Sequence, residues 1–298
     1  MFFKSRQLVT AFALASLTFT AQSAIVYSLS NSGSSLVRFD SSAPGVVSVI
    51  GTISGATGNL NGLDFRPADG LLYGYQQASS GIYRVDVNTG ATALLSTSTA
   101  PVTSALLGID FNPTVDRLRV VTTNDENRRI NIGTGVAITD GSLTYAAGDV
   151  NFGSSPNIID AAYTFSDMNP GTATELYYID YVLDTLVETG NPNAGILNTV
   201  GALGFDTDRF VGFDIFTDSN GTNTGFASLR VGGVEGLYTI NLDNGAASFI
   251  GAIGADQLFG LAVAQVPEPG SLALVAVAGL AAFGLRRRVQ RHPASTLS

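Results

Sequence analysis

Cysteine and tryptophan are absent from this chain of 298 residues, and histidine occurs once. The absence of cysteine excludes disulfide frameworks, thiol nucleophiles and thiolate metal sites. Only 13% of the residues are charged, and the 24 acidic residues outnumber the 15 basic ones. This balance argues against a nucleic-acid partner, because phosphate neutralisation needs clustered cations. The 34 glycines, about 11% of the chain against an average of about 7%, indicate a turn-rich protein and not a helical bundle.

The first residues have the pattern of a secretory signal peptide. Lys4 and Arg6 precede an apolar run over residues 8–19, which is too short for a membrane span. The Ala-Gln-Ser sequence at 21–23 then matches the small-x-small site that signal peptidase cleaves. We therefore predict a signal peptide over residues 1–24, and a buried N-terminal helix is the alternative.

The C-terminal segment carries a second targeting pattern. A Pro-rich stretch leads into an unbroken apolar run over residues 272–285, and arginines follow at once. Because the run is close to the shortest length that spans a bilayer, we predict a transmembrane helix over residues 270–285. The arginines after it place the C-terminus in the cytoplasm, so the domain before it lies outside.

The order of these C-terminal features resembles the PEP-CTERM sorting signal of Gram-negative bacteria, over residues 266–291. The resemblance implies recognition by an exosortase, a membrane enzyme that cleaves near the Pro-Glu-Pro motif. It also implies export to the cell surface or the exopolysaccharide matrix, and an ordinary single-span anchor is the alternative. The residues that carry the resemblance are Val266, Pro267, Glu268, Pro269, Arg286, Arg287 and Arg288.

Between the two targeting segments, residues 25–265 form the predicted exported domain. It contains nine arginines, no lysine and no histidine, against 23 carboxylates, which is a formal charge of −14. Nucleophilic triads that use Cys or His, histidine-ligated zinc and lysine Schiff bases are therefore excluded in this domain. Chemistry that uses carboxylates alone is still open.

The exported domain is internally repetitive. The sequence Gly-Leu-Asp-Phe-Arg-Pro at 62–67 returns as Gly-Ile-Asp-Phe-Asn-Pro at 108–113, with weaker copies at 159–163, 212–216 and 260–263. Successive copies stand 46 to 54 residues apart, close to the ~40–50 residues of four-stranded propeller blades. Alternating apolar and polar positions follow the copies, which predicts strands.

The order of the repeats predicts an all-β fold, a β-propeller of five four-stranded blades. Four of the blades would occupy residues 62–107, 108–157, 158–211 and 212–258. The last copy, at 260–264, lacks following strands, and the N-terminal stretch 25–58 lacks a first one, so together they complete a fifth blade. Such closure removes exposed sheet edges. A sixth blade hidden in the intervals 120–157 and 164–211 is the alternative.

The Gly-x-Asp motif of the repeats has two interpretations. In the favoured one, the glycines permit close approach of strands near the axis, and the carboxylates accept backbone N–H bonds in neighbouring turns. In the other, the aspartates surround a central channel and bind a cation or act on sugar. The motif residues are Gly62, Asp64, Gly108, Asp110, Asp160, Gly212, Asp214 and Gly260.

Two polar segments are further candidates. Asp218 and Asn220 belong to a run of oxygen-bearing side chains that is like half of a calcium loop but lacks the closing Glu. We expect a polar surface turn there, with a calcium site as the alternative. The segment 124–129, which ends in Arg128 and Arg129, is expected to be a charged loop, with carbohydrate contact as the alternative.

The Gly-x-Asp-Phe-x-Pro repeats resemble an uncharacterised domain family of bacterial exported proteins, a resemblance that supports the propeller and implies no particular activity. We expect a non-enzymatic binding or structural module without a cofactor, unless calcium binds, and with a polysaccharide as a candidate ligand. The competing hypothesis is a glycoside hydrolase that uses Asp and Glu alone, which needs two suitably spaced carboxyl groups.

Overall fold

The computed structural model describes residues 23–166 and 172–264. These two ranges contain no helix, and so none that is long and apolar enough to cross a membrane. The predicted transmembrane helix and sorting signal, and the signal peptide up to residue 22, lie outside the described residues. The strands in chain order are β1 (Ile25–Ser30), β2 (Ser35–Asp40), β3 (Ser48–Thr52), β4 (Gly62–Arg66), β5 (Leu71–Gln76), β6 (Gly81–Val85), β7 (Thr92–Thr97), β8 (Leu107–Asn112), β9 (Arg117–Thr122), β10 (Asn127–Ile130), β11 (Ala137–Thr139), β12 (Thr144–Tyr145), β13 (Ile158–Tyr163), β14 (Leu176–Asp180), β15 (Thr185–Thr189), β16 (Ile196–Ala202), β17 (Thr207–Thr217), β18 (Asn223–Val231), β19 (Val234–Ile240), β20 (Ala247–Ala252) and β21 (Phe259–Val263).

The strands form five sheets, which are the blades of a propeller and in each of which four strands pair antiparallel. Blade 1 is β4-β5-β6-β7, blade 2 is β8-β9-β10-β11, blade 3 is β13-β14-β15-β16 and blade 4 is β17-β18-β19-β20. The inner strands β4, β8, β13, β17 and β21 contact one another in a closed circle. The predicted all-β propeller of five blades is therefore confirmed.

Blade 5 is built from both ends of the domain. The inner strand β21 pairs with β1, so that Val263 lies opposite Val26, and β2 and β3 complete the sheet. The N–H of Ala264 donates to the carbonyl of Ile25 at 2.8 Å, next to that pairing. The predicted closure by N- and C-terminal strands is the one that the structure has.

The interval 120–157 does not contain a sixth blade. It supplies β10 and β11 to blade 2 and then the two-residue strand β12. That strand pairs in parallel with β16 and so extends the outer edge of blade 3, with Tyr145 opposite Leu197. The second interval, 164–211, supplies β14, β15 and β16 to blade 3 and the first residues of β17 to blade 4.

Position within a blade explains the sequence of each strand. Second strands lie between two neighbouring blades and are buried on both faces, so they are continuous apolar runs such as Leu-Leu-Tyr-Gly-Tyr in β5 and Leu-Tyr-Tyr-Ile in β14. The outermost strands, such as β7, are largely exposed. Five clusters of buried apolar side chains result, one between each pair of neighbouring blades.

Inner strands approach one another most closely at the motif glycines. A Cβ built on Gly108 would lie 2.3 Å from the Cα of Asp160 in the next blade. At Gly212 it would lie 2.8 Å from the carbonyl carbon of Gly260. Contacts this short with backbone atoms leave room for hydrogen only, so these positions require glycine.

We predict that Gly108→Ala destabilises the domain by about 1–3 kcal/mol, because the added methyl group must displace the backbone at Asp160. Thermal unfolding of the purified protein measures the effect. The matched control is Gly190→Ala, since no heavy atom lies within 4 Å of a Cβ at that position. A melting temperature of the Gly108 variant equal to that of the control would contradict the close approach of β8 and β13.

Candidate functional site

Four aspartates occupy the same position on four inner strands, and each connects its own blade to the next. In every case the Oδ2 atom accepts a hydrogen bond from a backbone N–H of the following inner strand. The pairs are Asp64 with Phe111 N at 2.9 Å, Asp110 with Tyr163 N at 2.6 Å, Asp160 with Phe213 N at 2.8 Å and Asp214 with Val263 N at 2.6 Å.

The second carboxylate oxygen is also engaged. Oδ1 of Asp160 accepts from the N–H of Ala161 at 3.0 Å, and Oδ1 of Asp214 accepts from Ile215 at 2.6 Å. All four side chains are 2–6% exposed. Each carboxyl group therefore bridges two blades and presents almost no surface to the solvent.

Burial determines the protonation of these groups. Loss of hydration raises the pKa of Asp64 to about 6 and that of Asp110 well above its ordinary value, and the nearby Asp64 charge raises the pKa of Asp110 further. Burial likewise raises the pKa of Asp160 and of Asp214 well above the usual range.

The fifth inner strand lacks the carboxylate. Ala262 follows Gly260 and Leu261 where the other motif copies have Asp, so no side chain of β21 bridges to β4 in the same way. An aspartate therefore connects the inner strands at four of the five blade junctions. The junction without such an aspartate lies between blade 5 and blade 1.

These contacts bear on both interpretations of the motif. The carboxylates accept backbone N–H bonds, but from the next inner strand and not from a neighbouring turn, so the expected location of the donors was wrong. Within residues 23–166 and 172–264, no three His, Cys, Asp or Glu side chains converge in a way that could hold a metal ion. A catalytic pair in a solvent-filled channel would need carboxylates more exposed than these.

Two clefts open at the end of the propeller where β8, β13 and β17 end, one on each side of blade 3. The first has a volume of about 170 Å³ and lies between blades 2 and 3. Its walls are Asn112, Val115, Arg117, Arg119, Arg129, Tyr163, Pro192 and Asn193. The second has a volume of about 420 Å³ and lies between blades 3 and 4.

The second cleft, which we call the acidic cleft, carries the carboxylates Glu175 and Asp243, one from each blade. Both side chains are exposed. The hydroxyl of Tyr177 donates to Oε2 of Glu175 at 3.2 Å, and burial together with the charge of Glu175 raises the pKa of this tyrosine to about 12. The tyrosine is therefore a neutral donor beside a carboxylate.

The structure places the two polar candidate segments differently from each other. Asp218 and Asn220 lie in the turn between β17 and β18, where Oδ1 of Asp218 accepts from the N–H of Asn220 at 2.9 Å and of Thr222 at 2.7 Å. Calcium binding by this turn stays a prediction. Arg128 and Arg129 belong to strand β10, so the expectation of a charged loop at these two residues was wrong.

Arg119 is the functional candidate that sequence analysis missed. It lies in the middle of β9, is 2% exposed and lines the first cleft. An arginine between two apolar residues of a strand matches no functional motif. Only alignment of the repeats strand by strand, which requires the pairing register, shows that it replaces an apolar residue.

A buried glutamate lies beside the closing strand. Glu235 of β19 is 3% exposed, and its Oε1 accepts from the N–H of Leu258 at 3.2 Å, one residue before β21. Among the residues described, Oε2 has no hydrogen-bond partner. Burial, with a contribution from Asp256, raises the pKa of Glu235 to about 7, although Arg230 opposes the shift.

We predict that Asp160→Ala costs the domain about 1–3 kcal/mol for each N–H that it leaves unpaired, those of Phe213 and Ala161. The melting temperature falls by about 2–4 °C per kcal/mol in a domain of this size. Asp218→Ala is the control, because its bonds are at the exposed surface. If the control lost as much stability as the Asp160 variant, the bridging role would be refuted.

We predict that Glu235→Gln changes how stability depends on pH. Since folding raises the pKa of Glu235 from 4.5 to about 7, the folded state binds the proton more tightly, and this contribution is lost as the pH rises through 7. The glutamine does not titrate. From pH 5 to pH 8 the wild type should therefore lose up to about 3 kcal/mol relative to the variant. Urea unfolding at both pH values tests this, and parallel pH profiles would contradict it.

Comparison with known proteins agrees with the repeats and the C-terminal motif. The model of the domain of unknown function DUF4394 matches residues 35–262, and that of the PEP-CTERM protein-sorting motif matches residues 265–288. This motif marks the chain for export and membrane-associated sorting toward the cell surface, with processing by an exosortase at the C-terminus. No curated protein matches the chain.

Solved structures that match the chain are remote from it in sequence. A chain of a nidogen/laminin complex is 9% identical, with a TM-score of 0.46, over 82% of this chain and 98% of that one. A protein from Lactobacillus plantarum is 13% identical, with a TM-score of 0.40, over 78% of this chain and 82% of that one. The match to the domain model spans most of the chain, so this protein belongs to the DUF4394 family and carries a PEP-CTERM sorting motif at its C-terminus.

Proposed function

We propose that this protein is a non-enzymatic binding module at the cell surface. Its binding face is the end of the propeller where β8, β13 and β17 end and where the two clefts open. The observation that carries the proposal is the burial of the repeat carboxylates. They are the acidic residues that the sequence repeats bring together, and each is 2–6% exposed and bonded to backbone N–H groups. They support the scaffold and are not available to a substrate.

The binding face is supported by the two clefts that flank blade 3. Both lie between blades, and both are lined by polar side chains from strand ends and turns together with apolar ones. Polar groups held on a rigid scaffold bind a hydroxylated ligand with little loss of conformational entropy. A carbohydrate of the extracellular matrix is therefore the ligand class that we propose.

A screen on immobilised glycans, paired with an assay for products, tests this function. We expect the purified protein to retain at least one glycan and to release no new reducing ends from it. Cleavage of any glycan in the panel, lost on replacement of a single Asp or Glu, would refute the non-enzymatic role. Failure to retain any glycan would refute the carbohydrate ligand.

One observation favours a second candidate, a glycoside hydrolase. The acidic cleft, at about 420 Å³, presents Glu175 and Asp243 from facing blades, with Tyr177 beside them. Two carboxyl groups across a cleft are the minimum that glycoside hydrolysis needs. In this alternative Glu175 and Asp243 share the roles of acid and of base or nucleophile.

We predict that, if the hydrolase is correct, Glu175→Gln and Asp243→Asn each abolish turnover without loss of stability, since both side chains are exposed. Asp86→Asn, an exposed turn residue of blade 1, is the control and should leave turnover unchanged. Turnover that survives both cleft substitutions would exclude this cleft as an active site.

A further inference from the structure

At one buried position, blade 2 has a different kind of residue from the other four blades. On the second strand, the residue opposite the motif position faces the next blade and packs in the core between them. In four blades this residue is apolar or aromatic, and in blade 2 it is an arginine. The residues are Tyr73 in blade 1, Arg119 in blade 2, Ile179 in blade 3, Phe226 in blade 4 and Tyr27 in blade 5.

The guanidinium of Arg119 is held by acceptors from both blades. Its Nε donates to Tyr163 Oη at 2.8 Å. Its Nη1 donates to Asp140 Oδ2 at 3.1 Å, to Pro192 O at 3.4 Å and to Asn127 Oδ1. Its Nη2 donates to Asn193 Oδ1 at 3.0 Å. A buried ion pair adds little stability compared with well-packed apolar residues. In the other four blades an apolar or aromatic side chain fills this position, so the arginine indicates that this junction holds polar groups in place for a ligand.

Two further arginines converge on the same cleft. Arg129 is the cross-strand neighbour of Arg119 and therefore shares its face of the sheet, and Arg117 lies at the start of the same strand. Both carboxylate oxygens of Asp140 already accept hydrogen bonds from arginines. Oδ2 accepts from Nε of Arg129 at 2.7 Å and from Arg119, and Oδ1 accepts from Nη2 of Arg129 at 2.9 Å. A third of the nine arginines of the exported domain thus lines one cleft of about 170 Å³.

The cleft has more donors than acceptors. Nη1 of Arg129, Nε and Nη2 of Arg117, and Nδ2 of Asn193 have no acceptor within the part of the chain that the structure describes. The oxygens of Asp140 and of the Asn193 amide already accept from arginines. An excess of guanidinium donors is the chemistry that recognises a carboxylate or another oxyanion.

We propose that this cleft, which we call the arginine cleft, binds the carboxylate of a sugar acid. Arg117 and Arg129 contact the carboxylate, and Arg119 positions the turn that carries Asn193. The amides of Asn112 and Asn193 meet hydroxyl groups, and the rings of Tyr163 and Pro192 lie where an apolar sugar face packs. The cleft, at about 170 Å³, is of the size of one acidic sugar unit of a chain. This inference rests on the binding function proposed above and names its ligand.

The test measures binding of glucuronate and of glucose to the purified full-length chain by calorimetric titration. We expect glucuronate to bind and glucose not to bind at the same millimolar concentration. Arg117→Gln should weaken glucuronate binding by about tenfold or more, the loss that follows removal of one charge-assisted contact. This variant should fold normally, because the side chain of Arg117 bonds only to backbone carbonyls of Val115 and Asp116.

The matched control is Arg84→Gln, which removes the same charge from an exposed strand position in blade 1. It should bind glucuronate like the wild type. Equal loss in both variants, or no glucuronate binding at all, would overturn the inference. Inorganic phosphate that binds more tightly than glucuronate would also overturn the sugar-acid assignment. Retention of neutral glycans without glucuronate binding would overturn this inference alone, whereas glycan cleavage would overturn the proposed function.

Discussion

The structure depends on one requirement: the apolar faces of each blade must be covered by the next blade. Every blade has a second strand that is buried on both sides, and each junction contains its own apolar cluster. A linear array would leave the two end faces open to water, at a cost proportional to the apolar area. Closure by β21 and β1 covers both faces at once, so the chain ends have to meet in one sheet.

The fold could be predicted from the sequence because its determinants are local and repeated. The motif at 62–67 and its copies mark the inner strands, and their spacing is that of four strands. The missing first strand at the N-terminus and the unaccompanied strand at 259–263 together indicate how the ring closes. The outer strand β12 could not be predicted, because a two-residue strand that pairs in parallel with the next blade has no periodicity to detect.

The candidate sites were much less accessible to prediction. The direction of the Asp64 bond depends on how far β8 is displaced along β4, which no local pattern specifies. Arg119 stands between the apolar residues Leu118 and Val120, and its significance is apparent only when it is compared with Tyr73 and Phe226 at the same register. Both clefts combine residues that are distant in sequence, so their polarity follows from the order of the blades around the ring.

The junction between the propeller and its sorting motif is very short. Ala264, at the end of the described residues, still donates to Ile25 in the body of the domain, and the matched motif begins at residue 265. From Ala264 to Pro269 even a fully extended chain covers only about 17 Å. An exosortase that acts at this motif therefore acts within about 17 Å of chain from a folded, strongly anionic domain.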